Sequence, residues 1–261
     1  MKKARTFLIL GYLGISVVAA IVLMVVKPVY NTVEQLQNMI SDLIIRATIL
    51  SGIVVLYFGF GYHKTFGLHK ESWRMPYWVI PCLVSVLANF PFSALILGKA
   101  TIDYPNYIWV FVLYCLSISL VEELLFRVIL LDFLLNYLEG KNHKTLIAII
   151  LDSAIFGLYH LLNLAAGAGV IATLMQVGYT FLVGGMFAIT LLKTKNILYP
   201  LILHAIFDAG GYVVTCLGQG AFQDMVFWIL TGVTGAMAAI HCLYALYQLD
   251  KEESELRAKN L

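Results

Sequence analysis

Apolar residues in this chain neither alternate in twos, as in a half-buried strand, nor confine themselves to one stripe of a soluble helix. They run on in stretches of about 20, separated by short polar breaks, and such a run is the length an α-helix needs to cross the hydrocarbon core of a bilayer. Eight spans are predicted, near 7–26, 43–62, 77–97, 106–137, 145–163, 169–192, 197–217 and 224–248. The first follows Met1-Lys2-Lys3-Ala4-Arg5 as a secretory leader would, but it stays apolar to Val26 with no small-residue cleavage site before Lys27, so a retained anchor is expected. The fourth is long for a simple crossing and should tilt or project into water.

Composition agrees with this reading. The 261 residues are 61% hydrophobic and 12% charged, with a mean hydropathy of +0.87, whereas soluble domains hold about 25% charged residues. The expected fold class is all-α, a polytopic membrane protein of about eight transmembrane helices. Its expected organisation is a two-helix anchor with a cytoplasmic interfacial segment over 1–76, a core over 77–217, and a last helix with a charged tail over 218–261. A formal charge of +2 without a basic patch argues against a nucleic-acid partner. Cys82, Cys115, Cys216 and Cys242 lie in apolar runs without CxxC spacing and read as packing residues.

Basic residues set the expected orientation, because cytoplasmic loops collect them. With the N-terminus inside, Lys2, Lys3, Arg5, Lys64, Lys70, Arg74, Lys141, Lys144, Lys193, Lys195, Lys251, Arg257 and Lys259 all fall on the cytoplasmic side, 13 of the 17 Lys and Arg. Both termini are therefore expected in the cytoplasm. The segment from His63 to Met75 mixes basic residues with Phe66, Leu68 and Trp73 and is expected to lie along that interface. Short loops fit a bacterial cytoplasmic membrane.

Ionisable groups within spans cost about 2.5–3.5 kcal/mol each on insertion scales, so each needs a partner or a purpose. Here they concentrate in three spans: Glu122, Glu123 and Arg127 in the fourth, Asp152 and His160 in the fifth, and His204 and Asp208 in the seventh. Glu123 sits one turn before Arg127 and can neutralise it, while Glu122 is rotated about 100° away and must face something else. Glu122 is thus the better candidate for chemistry, although all three could form one ion network that holds helices together. In the fifth span Asp152, Phe156 and His160 share a stripe, and in the seventh His204 and Asp208 do.

A carboxylate in an apolar pocket can take a proton from water, an imidazole can position that water, and a second imidazole with a polar neighbour can meet a developing oxyanion. This inventory suits hydrolysis of an amide. It also suits zinc, with His160, His204, Glu122 and Asp208 as ligands, although no HExxH is present and the sequence requires no cofactor. Ser117, Ser119 and Ser153 lie nearby, but none stands in GxSxG.

Glu122-Glu123-Leu124-Leu125-Phe126-Arg127 matches EExxxR, Phe156-Gly157-Leu158-Tyr159-His160 matches FxxxH, and His204-Ala205-Ile206-Phe207-Asp208 is similar to HxxxN/D. In order and separation these motifs resemble the CAAX prenyl protease and bacteriocin-processing family, also called the Abi family of intramembrane proteases, over about residues 77–217. The resemblance implies an intramembrane endopeptidase in which Glu122 activates water with help from His160, and His204 with residue 208 forms the oxyanion site. It also implies that Glu123, Arg127 and Phe156 give structural support, the first two bracing the fourth helix. One position departs from the eukaryotic prenyl-protein pattern: Asp208 stands where those members carry Asn, and a carboxyl donates a hydrogen bond only when protonated. The expected partners are a membrane-associated peptide or protein substrate and the lipid bilayer. A proton-coupled transporter and a non-catalytic scaffold or immunity protein are the competing readings.

Overall fold

The structure, a computed structural model, describes residues 2–26, 32–65, 79–165 and 167–259. Most of the interfacial segment expected over His63–Met75 lies outside the described residues. Every long element is a helix, as lipid demands, because a helix satisfies its backbone within one segment. Among the described residues seven helices are long and apolar enough to cross a membrane.

Helices α1 (Lys2–Val26) and α2 (Glu34–Phe60) form an antiparallel pair. Between helices in lipid, association depends on close van der Waals contact rather than on expulsion of water, so small residues mark the seam. At Gly59 an added Cβ would come within 2.5 Å of the Ile9 side chain, and at Gly52 it would meet Leu13 and Ser16 at 3.0 Å.

The third apolar run does not form one helix. It splits into α3 (Ile80–Leu87) and α4 (Phe92–Ile96), with Ala88–Pro91 between them. Pro91 lacks an amide hydrogen and its ring disfavours helical geometry at Phe90, which ends the first piece. The two pieces and the chain beyond them link the two ends of the bundle. The start of α3 packs with the cluster of Leu134, Leu191 and Ala245, whereas the chain after α4 enters strand β1 (Ala100–Ile102), which pairs antiparallel with β2 (Gly218–Gly220) at the opposite end of the bundle. Gly218 permits that pairing, since a Cβ there would lie 1.7 Å from the Thr101 carbonyl oxygen. Among the described residues the seven continuous helices come close to the about eight spans expected, and the third expected span, 77–97, is the one that is not a single long helix.

The fourth run is continuous but not uniform: α5 (Ile108–Glu122) passes into a π-helix over Glu123–Leu130 and then into α6 (Leu131–Tyr137). After it come α7 (Lys144–Tyr159), the single turn α8 (Leu162–Ala165), α9 (Val170–Thr194), α10 (Leu198–Leu217) and α11 (Met225–Lys259). Helices α7 and α9 pack closely because Gly157 lets the Val177 carbonyl approach; a Cβ at Gly157 would sit 2.9 Å from that oxygen. Val128, Leu131, Ala148, Phe187, Ala188 and Leu191 are fully buried at the centre of the bundle.

Polar contacts at the two ends show which termini share a face. At one end Glu253 of α11 accepts hydrogen bonds from the backbone N–H groups of Lys144 and Thr145, which open α7, and Lys193 pairs with Glu252. The Phe60 end of α2, next to the Lys2 end of α1, lies on this same side, with Tyr57 and Tyr62 packed on the cluster that holds Leu134 and Ala245. At the other end Asp224 caps α11 by accepting from Phe227 N–H at 3.0 Å, and it also takes Ser93 Oγ at 2.8 Å and Lys99 Nζ at 3.2 Å. Those donors hold the Asp224 carboxyl below the usual carboxylate range.

Candidate active site

The junction between α5 and the π-helix divides the two glutamates. A π segment widens the turn, and such segments recur where a helix must aim side chains at a function. Glu123 and Arg127 point into the bundle and are completely buried, whereas the Glu122 side chain retains 16% exposure. Arg127 Nε lies 3.4 Å from Glu123 Oε2, its Nη1 donates to Asp152 Oδ2 on α7, and its guanidinium carbon sits 4.5 Å from the centre of the Phe156 ring. Gly184 of α9 makes room for this stack, since a Cβ there would meet Phe156 at 2.8 Å and Arg127 Nη2 at 3.0 Å.

Through Glu123 the same network reaches α10. His204 Nδ1 donates to Glu123 Oε1 at 2.7 Å, and the imidazole stacks on Phe187 with centroids 5.0 Å apart. That bond settles the ring's orientation. His204 Nε2 then faces two further carboxylates, Glu122 Oε2 at 3.7 Å and Asp208 Oδ2 at 3.6 Å. A lone pair aimed at two carboxylates would be repulsive, so this corner of the site needs a proton shared among the three groups.

His160 ends α7 as its C-cap, and its Nδ1 lies 2.9 Å from the Phe156 carbonyl oxygen. A carbonyl only accepts, so Nδ1 carries the hydrogen and the neutral ring presents a lone pair on Nε2. The Phe156 ring meets His160 at 5.0 Å and His204 at 6.1 Å, both edge-on, and so spaces the two imidazoles. No hydrogen bond or ion pair joins His160 to Glu122. Around the carboxylates stand Tyr179 and Tyr212, in electrostatic reach of Asp208 and Glu122, and Arg46 of α2, whose guanidinium lies 5.1 Å over Tyr114 and pairs with Asp42 at 3.1 Å.

The structure thus brings Glu122, His204 and Asp208 into one group, with Glu123 and Arg127 behind it and Phe156 carrying His160 alongside. The self-contained Glu123–Arg127 pair expected from the spacing is part of a longer chain: Arg127 is shared with Asp152, and Glu123 with His204. The Asp152 link went unassigned in the sequence, although an acid within a span always asks for a cation. Gly184 and the aromatic ring of Tyr114, Tyr179 and Tyr212 carried no local signal. A structural zinc site takes four protein ligands and a catalytic one three. Among the described residues no three His, Cys, Asp or Glu side chains are arranged to hold a metal ion, His204 Nδ1 being committed to Glu123.

Fold and site together define an integral membrane protein with a buried acid–imidazole cluster shared by three helices. Residues 104–210 match the Rce1-like family model, described as type II CAAX prenyl endopeptidase Rce1-like, and that stretch holds all three motifs. The match supports a CAAX-type intramembrane endopeptidase in general. No curated protein and no solved structure matches the chain.

Proposed function

We propose that the protein hydrolyses a peptide bond in a membrane-associated substrate, with Glu122 as the general base for water and no step through a metal. The observation that carries this reading is the division of labour between adjacent glutamates: Glu123 is sealed against Arg127 and His204, while Glu122 keeps an accessible edge beside the Nε2 of His204. Glu122 removes a proton from water as its oxygen attacks the peptide carbonyl. His160 Nε2 accepts the second water hydrogen and so orients the nucleophile. The carbonyl becomes an oxyanion, and His204, carrying a proton on Nε2, is the donor that faces it. Glu122 then passes its proton to the leaving nitrogen as the C–N bond breaks. Asp208, a carboxylate where a donor would be wanted, acts through His204 by favouring the protonated ring.

The face that carries Lys64, Lys141, Lys144, Lys193, Lys195 and Lys251 is assigned to the cytoplasm, and blocking of single cysteines placed in its loops by an impermeant reagent tests that orientation. The reaction is tested with a quenched-fluorescent prenylated CAAX peptide. Glu122→Gln should lower kcat by about 10²–10⁴, the usual worth of a general base, with Tm within about 2 °C of the parent. Undiminished cleavage refutes the assignment and favours a scaffold.

A further inference from the structure

The interrupted crossing stands where backbone is hardest to leave unpaired. Because Pro91 has no amide hydrogen, the Leu87 carbonyl takes its bond from Phe90 N at 3.2 Å instead. Phe92 N, which would serve the Ala88 carbonyl in a continuous helix, bonds Phe90 O at 2.9 Å. Among the described residues no backbone donor then serves the Ala88 carbonyl. Asn89 is held firmly, its Nδ2 donating to the Phe207 carbonyl of α10 at 2.7 Å. Its backbone lies so close to Gly210 that a Cβ there would sit 2.8 Å from it. Since a carbonyl only accepts, the amide nitrogen must face Phe207, and the Asn89 side-chain oxygen is turned away from it, with no donor to it among the described residues. Ala88, Asn89 and Phe90 are half-buried. Within a bilayer, irregular backbone of this kind occurs where it is packed against protein or lines a cavity or a binding site, and here one side packs on α10 while the Ala88 carbonyl side is open to a ligand.

We propose that the Ala88–Pro91 break is the docking edge for the substrate. An extended peptide lays alternate N–H groups against the Ala88 carbonyl and the Asn89 amide oxygen, in the manner of a strand added to an open edge. Asn89 grips the carbonyl immediately before Asp208, so a chain advancing about 3.3 Å per residue reaches the Glu122–His204–Asp208 group within a few residues of the edge. The identity of the peptide rests on the peptidase reading; the edge itself does not.

The test uses the full-length protein carrying Glu122→Gln, with a photoreactive benzoylphenylalanine at Phe90. The probe is a prenylated CAAX peptide, and it is competed by analogues N-methylated at one backbone nitrogen each. The expected results are a cross-link at position 90 and a loss of about tenfold or more in competition by at least one analogue, as befits a half-buried acceptor that loses its donor. Asn89→Leu should abolish the discrimination against that analogue, a coupling that mere loss of structure would not produce. The proposal is overturned if every analogue competes within twofold, or if the wild-type protein cleaves the peptide while position 90 never cross-links. A cross-link without cleavage by the wild type keeps the edge and refutes the hydrolase, so the two failures are distinguishable.

Discussion

Arg127 stands between two completely buried carboxylates, and replacing it with Met would test whether this chain of charges organises the site. Arg127→Met keeps most of the volume but leaves Asp152 without its cation and Glu123 with His204 alone. Removing one partner from a buried pair costs about 3–5 kcal/mol, because the other charge stays desolvated. For a chain of this size each kcal/mol moves Tm by about 2–4 °C. The expected fall is therefore about 6–20 °C, read by helix circular dichroism in detergent. Asp152→Asn is the contrast: its side-chain oxygen still accepts from Nη1 and Glu123 still neutralises the guanidinium. The loss should be nearer the about 1.5–3 kcal/mol of one charged hydrogen bond. Arg127→Lys, a point charge without a fork, should fall between them. Cleavage should drop more than stability in Arg127→Met, since Glu123 then loses the contact that aims it at His204. The reasoning is refuted if Arg127→Met melts within about 2 °C of wild type, or if Asp152→Asn is equally damaging.

Gly184→Val should destabilise by about 1–3 kcal/mol through overpacking against Phe156 and Arg127, and Gly185→Ala, whose Cβ would meet Ser153 Oγ at an ordinary 3.4 Å, should be milder in the same melting assay. Asp224 titrates below its unfolded value, so its contribution is complete above about pH 4 and disappears as pH falls through the lower folded value. Asp224→Asn should accordingly melt lower than wild type at pH 7, with the gap closing below about pH 4; a gap independent of pH contradicts the capping role. Treatment with 1,10-phenanthroline, followed by dialysis, should leave peptide cleavage unchanged, and a loss restored by zinc would overturn the metal-free mechanism.

Several features were readable directly along the chain. Uninterrupted apolar runs dictate membrane helices because lipid offers no hydrogen bonds to a bare backbone. The i,i+4 spacing of Glu123 and Arg127 separates Glu122 from its neighbour whatever surrounds them, and the proline at 91 carried the break in the third run, although hydropathy alone ran through it. What the linear pattern lacked was distance between helices. That Arg127 reaches Asp152, that Glu123 turns His204 so its free nitrogen faces Glu122 and Asp208, and that Asn89 grips the carbonyl before Asp208 all depend on how closely α7, α9 and α10 approach. Glycines at 157, 184 and 210 set that approach by the absence of a side chain, and nothing in the order of residues says which neighbouring atom will occupy the space.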